Sequence, residues 1–201
     1  MKKNFIGLDI GGTKIEGILV SLEAGNRKLE TGGRKLVIDG EDYSICSQIR
    51  KDSPVNSPYF VVVTEIAELI KDCLEVESLK VDDVGGIGIG LPGTVHPISQ
   101  QMLNGNSPVF IDRDFSGDLG SELGFDGVIN IHNDANCFAM AEIYQGAGLQ
   151  YEKDFHVPPS EQIAVGVILG TGVGGGVSIK GQLLTGKDGG ASELGHTQLL
   201  N

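Results

Sequence analysis

Apolar and polar positions along the chain fall into short blocks whose period changes. Residues 5–10 and 15–21 are apolar or alternating runs on either side of Gly11-Gly12-Thr13-Lys14, and two strand-like runs around a glycine turn predict a β-hairpin. Residues 36–38 and 45–49 are further strand candidates, set off by a polar, glycine-containing loop at 26–34. From 58 to 75 the period lengthens. Phe60, Val63, Ala67, Ile70 and Leu74 recur at spacings of three and four, which predicts a helix with one buried face, entered through Pro58.

Residues 84–89 read as a buried strand running into Gly90-Leu91-Pro92-Gly93. From there to Pro108 the turn formers Asn104, Gly105 and Asn106 predict a loop able to face a ligand. Next come a short helix at 115–123, a strand at 128–132 and a helix at 135–147 whose Met140, Ile143, Tyr144 and Ala147 share a face, with Asn133-Asp134 joining the last two. Residues 151–161, with Pro158-Pro159, read as a surface loop. Runs at 163–169 and 177–179 then repeat the strand, glycine loop, strand arrangement of the N-terminus. A glycine-tipped hairpin near the start of each of two α/β halves is how an internally duplicated fold is laid out, although these halves share no sequence repeat beyond that layout.

Composition sharpens this picture at the glycines. There are 31 in 201 residues, about twice the average share of roughly 7%. They gather at 11–12, 85–93, 170–176 and 186–190, at or just past runs of Val, Ile and Leu, where a backbone turns tightly or approaches something closely. Fifteen Lys and Arg against 27 Asp and Glu give a net charge of -12, which disfavours nucleic acid and anionic membrane as partners. Cys46, Cys73 and Cys137 are too widely spaced for a disulfide framework or a Cys-x-x-Cys metal site and read as reduced thiols of a cytoplasmic protein. The first apolar run is cut short at Asp9, too soon for a signal peptide or a membrane span.

Four motifs carry candidate chemistry. Asp9-Ile10-Gly11-Gly12-Thr13-Lys14 offers backbone N–H groups at a tight turn, a carboxylate and a hydroxyl, a set that suits a nucleotide's phosphates; an ordinary hairpin turn is the plain alternative. It is not a Walker A loop, because a strand follows it where a helix should. Gly170-Thr171-Gly172-Val173-Gly174-Gly175 matches G-x-G-x-x-G, but Gly176-Val177-Ser178-Ile179 and Lys180-Gly181 continue as strand and turn, so the helix a dinucleotide fingerprint requires is missing. Asn133-Asp134 sits between strand and helix, where it serves as an N-cap, as a mount for a general base, or as both. Glu193-Leu194-Gly195-His196 places a Glu and a His three apart, able to meet ligand hydroxyls or a metal, or to form a solvated turn. His96, His132 and His156 have no partner at ligand spacing and read as structural.

Taken in order, Asp9 to Lys14, Gly88-Ile89-Gly90-Leu91-Pro92-Gly93, Asn133-Asp134-Ala135-Asn136-Cys137, Leu169 through Gly176 and Glu193 to His196 closely resemble the ROK (repressor, ORF, kinase) family. Within it the resemblance is greatest to bacterial N-acetylglucosamine kinases, with fructokinases and glucokinases next. It implies an actin-like (ribonuclease H-like) ATPase fold of two α/β domains, 1–117 and 118–201, the second incomplete. It implies a cytoplasmic ATP-dependent kinase acting on a hexose or N-acetylhexosamine, at the 6-hydroxyl, with Mg²⁺ and in a homodimer. The alternatives are a fructokinase or glucokinase of the same family, or a catalytically incompetent sugar- or nucleotide-binding fragment.

On matching residues, Gly7, Asp9, Gly11, Gly12, Thr13 and Lys14 of the first hairpin and Gly170, Thr171, Gly172, Gly174, Gly175 and Gly176 of the second would hold ATP and Mg²⁺. Asp134 would be the base, and Asn106, Asn133, Asp134, Glu193 and His196 would line the sugar pocket. Family members run on past the position of Asn201, through a cysteine cluster that binds zinc with the His of the Glu-x-Gly-His motif. His196 is therefore expected to be a zinc ligand whose thiolate partners this chain lacks, and the family's C-terminal third is expected to be absent. ROK repressors carry a DNA-binding segment before the first hairpin; here the hairpin begins at residue 5, which favours the kinase branch.

Overall fold

Alternation along Asn4–Ile10 (β1) buries Ile6, Leu8 and Ile10 on one face, and Lys14–Leu22 (β2) returns antiparallel to it, pairing Ile15 with Ile10 across the turn. The remaining strands are Lys35–Ile38 (β3), Glu41–Asp52 (β4), Val84–Leu91 (β5), Thr94–Val95 (β6), Met102–Asn104 (β7), Val128–Asn133 (β8), Ile163–Leu169 (β9), Val173–Ile179 (β10) and Gln182–Leu183 (β11). The helices are Tyr59–Glu75 (α1), Phe115–Leu123 (α2), Asp134–Gln145 (α3) and Ala147–Phe155 (α4). This structure is a computed structural model and describes residues 3–22, 35–38, 41–105, 107–169 and 173–196.

A six-stranded sheet in the order β3-β4-β2-β1-β5-β8 forms the first layer. Its β3, β4, β2 and β1 run antiparallel to their neighbours, while β1, β5 and β8 are parallel. Helix α1 covers it with Val62, Val63, Ile66, Ala67, Leu69, Ile70, Cys73 and Leu74. Gly17 on β2 permits this approach, since a Cβ there would stand 3.0 Å from Cys73 Sγ. Ile66 is fully buried, and its truncation to alanine removes about 2–5 kcal/mol of stability. Phe60, expected on the buried face, is 72% exposed. Side chains lean toward a helix's N-terminus, so in the first turn this one reaches past the packed surface.

Beyond β8 the chain changes sheets. β9, β10 and β11 form a second, antiparallel sheet in the order β11-β10-β9. Helix α3 packs on it at glycines: a Cβ at Gly166 would lie 3.0 Å from Ala139 Cα, and one at Gly176 only 2.7 Å from the Ala135 carbonyl oxygen. Three expectations need correction. The segment expected as a loop at 151–161 is helical to Phe155. Strand β10 begins at Val173, so Gly174, Gly175 and Gly176 lie inside a strand and not in the loop before it. The expected loop between β5 and α2 holds the small β6–β7 ribbon.

That ribbon's turn also finishes the outer edge of the first sheet. The Ile131 N–H of β8 donates to Gln100 Oε1 at 2.5 Å, and Gln100 Nε2 donates to the Pro97 carbonyl at 3.1 Å. His96 Nδ1 accepts from the N–H groups of Ile98 and Ser99 at 3.3 and 3.1 Å. No described helix is long and apolar enough to cross a membrane.

Candidate functional site

Parallel strands β1, β5 and β8 end at one edge of the sheet, and their register puts Asp9 beside Gly90 and Gly90 beside His132, with Leu91 beside Asn133. At the usual spacing of about 4.8 Å between neighbouring strands, Asp9 and the Asn133-Asp134 junction lie roughly 10 Å apart across a glycine. Crevices outside the carboxyl ends of parallel strands are where open α/β sheets bind ligands.

Asn133 is the N-cap of α3: its side-chain oxygen accepts from the N–H groups of Ala135 at 2.9 Å and Asn136 at 3.3 Å, and its Nδ2 donates to the Gly93 carbonyl at 2.8 Å. The capping role and the exposed carboxylate next to it coexist, because Asp134 is the first helical residue and faces solvent. The Gly93 end of this contact is itself tight. Gly93 (φ 142°) passes so near β7 that a Cβ would stand 2.3 Å from the Asn104 carbonyl oxygen, which rules out any other residue there.

Charge is concentrated at this edge. Asp9 is held above the ordinary carboxylate range, first by the protein bulk around it and then by Asp134 and Glu16, against the pull of Arg50. Cys137, one turn into α3, has its thiol pushed up to about 11 by burial and then by the Asp134 and Asp9 charges. Burial lowers His132. A carboxyl raised by burial and by a neighbouring carboxylate charge, as Asp9 is, is one that a divalent cation relieves.

At the hairpin tip Gly11 N–H donates to the Lys14 carbonyl at 2.9 Å, and Lys14 Nζ is paired with Asp52. A Cβ on Gly12 would meet nothing within 4 Å, so this tip faces open space that a ligand's phosphate oxygens can enter. Gly7 lies lower on β1, where its missing side chain makes room for Ile18, 3.0 Å from a Cβ built there.

In the second half, Gly174 abuts Ala135, Gly175 abuts Leu194 and Gly176 abuts the first turn of α3. These three glycines are occupied by packing. Gly195 lies against Val173, where a Cβ would be 2.3 Å from its carbonyl oxygen, and this brings the Leu194–His196 turn and half-buried Glu193 onto the start of β10. The loop before it touches the first half, since Gly189 meets the Val95 carbonyl.

The structure thus brings together Asp9, the 11–14 tip, Asn133 and Asp134, and separately β10 with Glu193. Asn106, Gly170, Thr171 and Gly172 lie outside the described residues, as does the side chain of His196. Among the described residues no group of three or more His, Cys, Asp or Glu side chains is arranged to hold a metal, and Cys46, Cys73 and Cys137 stand on β4, α1 and α3. Sequence reasoning did not single out Gly93 or Cys137 individually, and the structure places Gly93 under the Asn133 amide and Cys137 beside Asp134 and Asp9.

Known proteins resemble this chain over almost its whole length. N-acetyl-D-glucosamine kinases of Histophilus somni (strain 129Pt) and Vibrio parahaemolyticus are 34% and 32% identical, each over 97% of this chain but 52% and 53% of their own length. The crystal structure of a ROK hexokinase from Thermus thermophilus superposes with a TM-score of 0.69 at 25% identity, covering 98% of this chain and 53% of that one. A ROK family glucokinase from Streptomyces griseus, in complex with glucose and AMPPNP, gives 0.68 at 26%, covering 98% and 51%. The chain therefore spans about half the length of the relatives it matches, less than the two thirds the motifs implied, and its mixed α/β architecture is that of the actin-like ATPases. With a family model matching residues 5–201, the chain belongs to the ROK family.

Proposed function

We propose that this chain carries the phosphate-holding and proton-accepting parts of an ATP-dependent kinase that phosphorylates a hexose or N-acetylhexosamine, N-acetylglucosamine foremost, at its 6-hydroxyl. The observation that carries this reading is the row of Asp9, Gly90 and the Asn133-Asp134 junction along the carboxyl ends of three parallel strands, with the open glycine tip beside it. The relatives named N-acetyl-D-glucosamine kinase and the glucose-bound relative support a hexose-like acceptor.

In this reading Asp134, presented to solvent at the start of α3 and fixed by the Asn133 cap, orients the acceptor hydroxyl and takes its proton as the oxygen attacks the terminal phosphorus. The bond to the bridging oxygen breaks and ADP leaves, with no covalent enzyme intermediate. The 11–14 tip and the residues before Val173 hold the triphosphate, and Asp9 is the carboxylate placed to hold the accompanying Mg²⁺, which supplies charge neutralisation when bound. Asn133, whose amide is already engaged on two sides, contributes to the sugar pocket through its remaining N–H, together with Glu193. Asn106 and His196 complete that pocket. The reading keeps two domains, 1–117 and 118–201, with β8 of the second still pairing onto the edge of the first sheet. A net charge of -12 accords with a small neutral substrate, and a cytoplasmic setting, where ATP is available, goes with this role.

The test is ADP release by the chain with Mg-ATP and a panel of N-acetylglucosamine, N-acetylmannosamine, glucose, fructose and mannose, beside Asp134→Asn. Turnover with one sugar that vanishes in the variant, while its unfolding midpoint is kept, supports the reading. Turnover by Asp134→Asn at the parental rate removes Asp134 as the base.

A further inference from the structure

The strand that brackets the hairpin from the far side ends at Asp52 and runs on into Ser53-Pro54, and Asp52 and Ser53 touch the tip at three points. Asp52 pairs in register with Lys14 and holds its ammonium. The Ser53 N–H donates to the Thr13 carbonyl at 3.0 Å, and the Ser53 Oγ–H donates to the Gly11 carbonyl at 2.6 Å. Pro54 restricts the residue before it to extended backbone, so Ser53 is preset for this double contact.

The consequence follows from peptide geometry. In a trans peptide the C=O of one residue and the N–H of the next point in opposite directions. Tying the Gly11 carbonyl to Ser53 Oγ therefore aims the Gly12 N–H away from Ser53, on a tip so open that a Cβ built on Gly12 would meet nothing within 4 Å. A backbone N–H at an open, tight turn is a donor that an anionic oxygen can accept from.

We propose that Ser53 is a positioning residue: its hydroxyl fixes the orientation of the Gly11–Gly12 peptide, so that the Gly12 N–H is aimed at the phosphate oxygens of the nucleotide before it arrives. This rests on the reading of the 11–14 tip as the phosphate-holding loop. Ser53 touches neither substrate nor reacting atoms; it acts through Gly11. Its backbone N–H still holds Thr13 when the side chain is removed, so the fold does not depend on the hydroxyl.

The experiment is calorimetric titration of the chain, Ser53→Ala and Ser53→Thr with Mg-ADP and AMPPNP, and separately with N-acetylglucosamine, alongside urea unfolding of each. Loss of one hydrogen bond's worth of preorganisation predicts nucleotide affinity about 3- to 10-fold weaker in Ser53→Ala, near-parental affinity in Ser53→Thr, which keeps the hydroxyl, and sugar affinity unchanged in both. Parental nucleotide affinity in Ser53→Ala overturns the inference while leaving the phosphate reading intact. An equal loss of sugar and nucleotide binding, or no rescue by threonine, overturns it in favour of a general packing role. If the parent chain binds no nucleotide, the phosphate reading itself falls and the inference with it.

Discussion

Gly12 and Gly176 belong to the two glycine motifs that read alike in sequence, yet the structure gives them opposite surroundings, and alanine at each separates them. A Cβ at Gly176 would lie 2.7 Å from the Ala135 carbonyl oxygen, 2.8 Å from Ala139 Cβ and 3.0 Å from Asn136 Cα. Ordinary contact begins near 3.4 Å, so the first turns of α3 must recede by the difference of 3.4 and 2.7, about 0.7 Å. Overpacking of this kind costs about 1–3 kcal/mol, which lowers the urea midpoint by about 0.3 to 1.5 M at a slope of about 2–3 kcal/mol per molar. The helix that must move carries Asp134 in its first turn, and because a misplacement near 1 Å costs on the order of 100-fold in rate, phosphorylation should fall by roughly tenfold or more. At Gly12 nothing lies within 4 Å. Gly12→Ala should keep the parental midpoint, or gain a few tenths of a kcal/mol through the unfolded state, while weakening nucleotide binding because a methyl group enters the space proposed for the phosphates. A Gly176→Ala protein with the parental midpoint, or a Gly12→Ala protein as destabilised as Gly176→Ala, would refute this division of labour.

Asn133→Ala should lower stability by about 1 kcal/mol through the lost cap and by more through the lost bond to Gly93, with Asn133→Asp, which keeps the acceptor for Ala135 and Asn136 but not the donor to Gly93, falling between; urea midpoints of the three proteins decide it. Asp9→Asn should raise the melting temperature near pH 7. A carboxyl whose folded pKa lies above its unfolded value of 3.8 stabilises the fold only while protonated, so its contribution is lost as pH rises through the raised value. The advantage of the variant should therefore shrink as pH falls toward 4, and scanning fluorimetry across that range would show a constant offset if the raised value were not the cause. His96→Phe removes the acceptor for two backbone N–H groups, and amide exchange at Ile98 and Ser99 should quicken while β1 and β5 stay protected.

Much of this was legible because the signals were local. The helix at 115–123 and the strand at 163–169 fall where apolar spacing put them, and α1 begins one residue after Pro58, as a proline entry requires. Asn133-Asp134 announced both a cap and a carboxylate, and the structure supplies both. What was not legible depends on which surfaces meet. β4 extends far beyond its apolar run because backbone pairing with β2 holds polar residues such as Gln48 and Lys51 in register, a gain that side-chain pattern does not record. Helix α4 has little apolar character to announce it; only Gly148 is buried. At the glycines of β10, glycine alone does not say whether a phosphate or a helix comes close, and the structure adds the helix. Ser53 carries no chemical signature until Gly11 and Thr13 are seen against it.

Gln100 has a consequence for behaviour in concentrated solution. Among the described residues β8 has no strand on its outer side, and an unpaired strand edge is where a second copy of a chain adds itself, strand to strand. The Gln100 amide already occupies the Ile131 N–H and is tethered to Pro97 from behind, so the first hydrogen bond such an intruder would seek is taken. One side chain, reaching back from a turn thirty-one residues earlier, therefore guards the sheet against growing into a neighbouring molecule.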